Sequence, residues 1–256
     1  MILGGKFPGV VLAIGADVPW DNYNLIAQQV ADYGYVVIVP QPRVYDIAFP
    51  GFSFNFTVVS PAVIVQAKNE LLRLNSLSSS PLYNLVDANN FAILGHSLGG
   101  TNAMIVASSN ASEICSDFNQ LASLYCFGYG SNIPIPDSEV FGPSLKAVVG
   151  YGSSLVSRVT FAPGIPVTTV PVNTSGLPVA IVHGSLDGRS LYPDLITSYD
   201  TLGTPKALIN LTGANHYGMN DNNTYVSVPD PNPQVRSQEW SVSMSAKIID
   251  TFFSVC

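Results

Sequence analysis

Six short runs of apolar, largely β-branched residues recur along the chain, at positions 10–14, 35–39, 91–94, 147–149, 179–182 and 207–211. Within each run the hydrophobicity is nearly continuous instead of alternating. That pattern marks strands covered on both faces, and hence a parallel sheet. Segments with apolar residues at helical spacing lie between them. Positions 22–33 carry Leu25, Ile26, Gln29, Val30 and Tyr33 at that spacing. Ser60-Pro61 opens a second helix bearing Val63, Ile64, Ala67, Leu71 and Leu74, with the proline near the first turn, where its missing N–H costs nothing. A last helix is expected from about Pro233 to Phe253. The alternation predicts one α/β domain over residues 1–256: a doubly wound, mostly parallel sheet with helices on both faces and right-handed crossovers.

Three connections exceed what a minimal sheet needs, at 40–57, 111–145 and 153–176. The second is rich in Gly, Pro, Ser and aromatic residues. The third alternates Val, Thr and Pro, as in Arg158-Val159-Thr160-Phe161 and Val167-Thr168-Thr169-Val170, and reads as a small β-hairpin. Long connections at the carboxyl edge of a parallel sheet commonly serve as lids or substrate walls. No internal repeat and no interdomain linker is visible.

Composition narrows the partners. A chain of 256 residues suits one domain with a full core. Only 11% of it is charged, against about 25% in a typical domain, and Ser, Asn, Thr, Gly and Pro take the place of the missing charge. Such a surface suits an apolar ligand or peripheral contact with a lipid interface, and equally a neutral, glycosylated exterior. A net charge of −7, without clusters of Lys or Arg, argues against nucleic acid and anionic membranes. No stretch approaches the roughly 18 apolar residues of a membrane span. Lys6 and the apolar positions 7–16 have the outline of a secretory signal, but Pro8 and Gly9 interrupt it and the sheet needs this segment as a strand. The start so close to that strand leaves room for a native leader. Cys115 and Cys126 flank one short segment and can pair, with Cys256 left over. Asn55, Asn110, Asn173, Asn210 and Asn222 each begin a glycosylation sequon. Compartment and oligomeric state stay open.

The chemistry is concentrated at Gly95-His96-Ser97-Leu98-Gly99, between the apolar run Phe91-Ala92-Ile93-Leu94 and the helix start Gly99-Gly100-Thr101-Asn102-Ala103-Met104. Strand, G-x-S-x-G and helix together describe a nucleophile elbow. There a serine sits at the tip of a strained turn, and the helix aims its free N–H groups at a developing oxyanion. A serine hydroxyl needs a base, and the base needs a third group that fixes its tautomer. The expected chain order is Ser, acid, His, on loops after successive strands. His96 lies inside the elbow and cannot turn back on Ser97. His183 ends the strand at 179–182 and reads as packed or hydrogen-bonded beneath the acid loop. His216, in Gly213-Ala214-Asn215-His216-Tyr217-Gly218 after the last strand, is the expected base. Asp187, in a glycine turn after the penultimate strand, is the expected acid. Asp194 and Asp200 read as exposed carboxylates on the following helix, and Asp221 comes too late in the order. The oxyanion donors are expected to be the backbone N–H groups of Leu98 and of Ala16, in the loop after the first strand. No metal-ligand spacing and no second glycine loop for a phosphate appear, so no metal and no cofactor is expected.

With these residues in view, the chain resembles an α/β-hydrolase, in the branch containing chlorophyllases, bacterial polyester hydrolases and dienelactone-hydrolase-like esterases. The resemblance rests on the stretch 22–41, ending Gly34-Tyr35-Val36-Val37-Ile38-Val39-Pro40-Gln41, on Gly95-His96-Ser97-Leu98-Gly99-Gly100 and on Asn215-His216. There are departures. Plant chlorophyllases usually carry Arg where this chain has Leu98, and place the acid after the strand that follows the elbow helix. Here that strand leads into Gly150-Tyr151-Gly152-Ser153-Ser154, without a carboxylate. Asp187 matches the placement in polyester and dienelactone-type hydrolases. The resemblance implies a cofactor-free serine ester hydrolase acting on a lipophilic small-molecule ester, with a chlorophyllase-like activity expected first. A general carboxylesterase, lipase or cutinase-like polyester hydrolase is the alternative, and a non-catalytic lipid- or pigment-binding protein the reading from another class.

Overall fold

The six apolar runs become the six strands of one sheet. In the computed structural model, which describes residues 5–49, 52–116, 141–157, 167–223 and 229–254, the chain runs in order through β1 (Phe7–Ala13), α1 (Asn24–Asp32), β2 (Val36–Ile38), β3 (Arg43–Phe49), β4 (Phe52–Val58), α2 (Pro61–Ser76), β5 (Val86–His96), α3 (Leu98–Val106) and α4 (Ala111–Ser116). It continues through β6 (Leu145–Tyr151), β7 (Val156–Ser157), β8 (Thr168–Thr169), β9 (Val179–Gly184), α5 (Tyr192–Thr201), β10 (Lys206–Leu211) and α6 (Gln238–Ser254). The main sheet has the order β10-β9-β6-β5-β1-β2, and every neighbouring pair is parallel. Among the described residues, no helix is long and apolar enough to cross a membrane.

Topology fixes where a ligand can sit. From β1 the chain steps outward to β2, then reverses past β1 to reach β5. Such a reversal leaves a crevice at the carboxyl ends of the two central strands, because the connections leave in opposite directions. Right-handed crossovers put the helices of the two directions on opposite faces. Accordingly α1 packs on α6, and α2 packs on α3. The core between these layers includes Val10, Leu12, Ile14, Ile93, Leu94, Val148 and Val149, all fully buried. Burial of each large side chain is worth about 1.5–3 kcal/mol. On α6, Val242, Ala246, Ile249 and Phe253 supply the buried stripe.

Several elements differ from their expected form for identifiable reasons. Strand β5 begins at Val86, upstream of the apolar run, and its register against β1 shifts between Pro8 and Gly9. Polar Asp87, Asn89 and Asn90 fill that irregularity, with Asp87 Oδ1 accepting the Asn89 N–H at 3.0 Å. Residues 43–49 pair antiparallel with 52–58, with Phe49 in register with Phe52. The signal of this pairing was the two-residue alternation Phe52-Ser53-Phe54-Asn55-Phe56-Thr57. In the connection 153–176, Val156–Ser157 pairs antiparallel with Thr168–Thr169, a short hairpin in the expected place. Its middle, like 117–140 in the second long connection and like Cys126 and Cys256, lies outside the described residues. Cys115 itself is disulfide-bonded. Finally, α6 starts at Gln238 and not near Pro233, because the preceding residues are held against the loop that carries His216.

Candidate active site

Ser97 stands where β5 ends and α3 begins, with φ 51° and ψ −126°. This region of backbone space is costly for a side-chain-bearing residue and persists only where its surroundings enforce it. Two contacts do so. The Ser97 N–H donates to the Tyr151 carbonyl at the end of β6, at 2.8 Å. Gly99 lies so close to β1 that a methyl group there would collide with the carbonyl oxygens of Ala13 and Ile14. Because that obstacle is backbone, Gly99→Ala is expected to cost about 3 kcal/mol, read as a lower urea midpoint. An unchanged midpoint contradicts the packing.

The same closeness brings the loop after β1 beside the start of α3. Asp17 has φ 54° and is clamped both ways to Thr57: its N–H donates to the Thr57 carbonyl at 2.8 Å, and its carboxylate accepts the Thr57 N–H at 2.9 Å. At the helix start, the N–H groups of Leu98 and Gly99 have no intrahelical acceptor, as at any helix N-terminus. Leu98 is one of the two residues whose backbone N–H the sequence singled out; Ala16, the other, precedes Asp17 in the loop after β1.

Asp187 and His216 meet directly. The His216 Nδ1 donates to Asp187 Oδ2 at 2.9 Å, with side-chain exposures of 5% and 0%. Asp187 Oδ1 accepts the N–H groups of Arg189 and Ser190 at 2.8 and 2.7 Å. Burial raises the carboxyl pKa, but the charge and hydrogen bond of His216, with those two backbone donors, outweigh it and hold Asp187 below the usual carboxylate range. The pair rests on Gly152, at φ +57°, where a Cβ would come within 2.9 Å of His216 Nδ1 and 3.0 Å of Asp187 Oδ2. Gly152 follows Tyr151, whose carbonyl holds Ser97. Ser97 and the Asp187–His216 pair thus share one rim of the sheet. Among the described residues, the Ser97 hydroxyl makes no hydrogen bond to the His216 ring.

Beside Ser97 lies a cleft of about 220 Å³ lined by Leu98, Thr101, Ser154, Arg189 and Asp194, among others. Its hydroxyls are already engaged: Thr101 Oγ1 donates to the Ser154 carbonyl at 2.8 Å, and Ser190 Oγ to the Gly152 carbonyl. Asp194 is 6% exposed, which corrects its reading as a solvated helix carboxylate. It turns inward because α5 packs against β7. His183 is packed against Tyr192, ring centroids 5.4 Å apart, and among the described residues neither ring nitrogen has a hydrogen-bond partner. Among the described residues, no group of three or more His, Cys, Asp or Glu could hold a metal ion.

Sequence reasoning missed Asp230. Its carboxylate accepts the His216 N–H at 2.8 Å and the Gly188 N–H at 3.2 Å, tying the loop of His216 to the loop of Asp187. It also accepts the Asn232 N–H at 2.8 Å. Asp230-Pro231-Asn232-Pro233 carries a legible turn signal, but nothing in it names His216 as the partner. Asp230→Ala strands these donors, each worth about 1–3 kcal/mol when left unpaired. The expected result is a loss of about 2–3 kcal/mol by urea denaturation together with a fall in activity; unchanged values of both contradict the clamp.

No protein-family model and no curated protein matches the chain.

Proposed function

We propose that the protein is a serine ester hydrolase of α/β-hydrolase type. The observation that carries this reading is the buried Asp187–His216 pair at the rim that also holds the strained Ser97. With its Nδ1 proton given to Asp187, the His216 ring keeps a lone pair on Nε2 to take the Ser97 proton. The serine oxygen then bonds to the ester carbonyl carbon, and the N–H groups of Leu98 and Ala16 hold the tetrahedral oxyanion. The protonated ring gives its proton to the departing alcohol as the carbon–oxygen bond breaks. Water repeats the sequence on the acyl-enzyme and returns free serine.

A chlorophyllase-like activity requires the acyl side to be a tetrapyrrole. The cleft beside Ser97 is partly polar, and its size is below the roughly 300–1,000 Å³ of sites for drug-sized ligands. That observation favours a general carboxylesterase acting on a short acyl group. A panel of acetyl, octanoyl and palmitoyl nitrophenyl esters with chlorophyll as a further arm decides between them. Hydrolysis greatest on the acetyl ester and absent on chlorophyll supports the carboxylesterase. Chlorophyllide release at comparable rate supports the pigment enzyme, and no hydrolysis in any arm favours a non-catalytic binder.

A further inference from the structure

We propose that Tyr23 and His96 form a buried positioning strut, which holds the loop after β1 and the loop bearing His216 in fixed register across Ser97. The inference rests on the hydrolase reading above for its catalytic meaning. The strut itself is a chain of three hydrogen bonds. The Gly15 N–H donates to the Tyr23 hydroxyl oxygen at 2.8 Å, that hydroxyl meets His96 Nδ1 at 2.6 Å, and His96 Nε2 meets the His216 carbonyl oxygen at 2.9 Å. Tyr23 and His96 are fully buried.

The direction of each bond follows from the last. A carbonyl oxygen only accepts, so the His96 proton is on Nε2. Nδ1 is therefore a lone pair and accepts from Tyr23, which leaves the tyrosine oxygen to accept from Gly15. Every ring nitrogen and the hydroxyl find a partner, as a buried polar chain requires. One end fixes the residue whose peptide carries the Ala16 N–H. The other end fixes the backbone of the base. The His96 ring bonds to Tyr23 and His216, and His96 is not among the residues lining the cleft, so it acts through these groups as a positioning residue.

A second set of bonds runs parallel at the surface. The Asp221 carboxylate accepts the N–H groups of Asn24 and Leu25 at 3.1 and 2.9 Å, and the Asp221 N–H donates to the Asn22 carbonyl at 2.8 Å. Asp221, which the chain order set aside as an acid, thus caps the helix that follows Tyr23. The groups packed on the His96 ring are Tyr23, Tyr151, His216 and Tyr217. Burial, and next the charge of His216, push the His96 pKa down to about 3, so the ring stays neutral and the strut intact across the working range.

The deciding variant is Tyr23→Phe, which deletes one oxygen and keeps the ring. An ångström of misplacement at a reacting centre costs roughly 100-fold in rate. On the best ester of the panel, kcat is expected to fall about 10- to 100-fold with KM within threefold, measured well below the melting temperature. A purely structural role would lower the melting temperature and leave kcat alone, which overturns the proposal. Two measurements stand apart from activity. In the wild type, ¹⁵N shifts of the His96 imidazole should report a neutral ring protonated at Nε2; a proton on Nδ1 overturns the strut even if Tyr23→Phe fails to fold. In Tyr23→Phe, hydrogen exchange at the Gly218 amide, in the distant base loop, should accelerate at least tenfold, and an unchanged rate overturns the coupling. A wild type inert toward every ester removes the hydrolase reading, and these two measurements then judge the strut on its own.

Discussion

Replacing Ser97 by alanine is expected to lower kcat by roughly 10⁶-fold while leaving the fold in place. The two halves of that expectation have separate causes. Activity falls because, among the described residues, the other hydroxyls on this rim are engaged in hydrogen bonds. Thr101 and Ser190 donate to backbone carbonyls, and Ser154 Oγ accepts the Val156 N–H at 3.0 Å. Stability holds within about 0.5 kcal/mol, because the Ser97 hydroxyl makes no hydrogen bond among the described residues and alanine inherits the same backbone strain. Kinetics on the preferred ester, paired with urea denaturation, reads both. A variant that is inactive and unfolded shows a structural serine, and one that is folded and active removes the nucleophile.

Asp187→Asn is expected to cost roughly 10⁴-fold in kcat. Asp187 Oδ1 receives the N–H groups of Arg189 and Ser190, so an amide at this position keeps its oxygen there. Its nitrogen is forced to face His216 Nδ1. Two donors cannot share that bond, and the ring must move its proton to Nε2, the atom that has to be bare to accept from Ser97. The variant keeps its shape and holds the base in the wrong tautomer. Steady-state kinetics compared with circular dichroism tests this; near-native kcat removes Asp187 from the role of acid.

The same buried groups set the response to acid. A folded-state pKa of about 3 for His96, against about 6.5 in an unfolded chain, means that the unfolded state binds a proton the folded state refuses. Stability from this source is fully present above about pH 6.5 and is lost toward pH 3, by up to about 1.4 kcal/mol for each pH unit. Asp187, with its pKa held down, adds stability that is present above the ordinary carboxylate range and lost as pH falls through its lowered value. Urea midpoints between pH 7 and pH 4.5 are expected to fall steadily. A flat profile contradicts the burial of a neutral His96.

The legible part of this molecule is the part written in local pattern. Ser97 is visible because an elbow needs glycines on both sides of it, and β5 and α3 are visible as an apolar run and a glycine-rich start. Asp187 and His216 could be chosen because each follows a strand, and the structure brings their side chains to 2.9 Å. The antiparallel strands at 43–49 and 52–58 carry an equally local mark in their alternating phenylalanines, a period-two pattern that differs from the continuous apolar runs of the parallel sheet. Tyr23, Asp221 and Asp230 were out of reach for a different reason. Each acts through a group distant in sequence, such as the His216 N–H for Asp230 or the His96 ring for Tyr23, and a single chain carries no local mark of such a pairing.

The most direct test is the mass of the intact protein, followed by peptide mapping, after treatment with a fluorophosphonate. One adduct per chain on Ser97, lost in His216→Ala, is the predicted result. An unmodified Ser97 in a folded wild type would contradict the account.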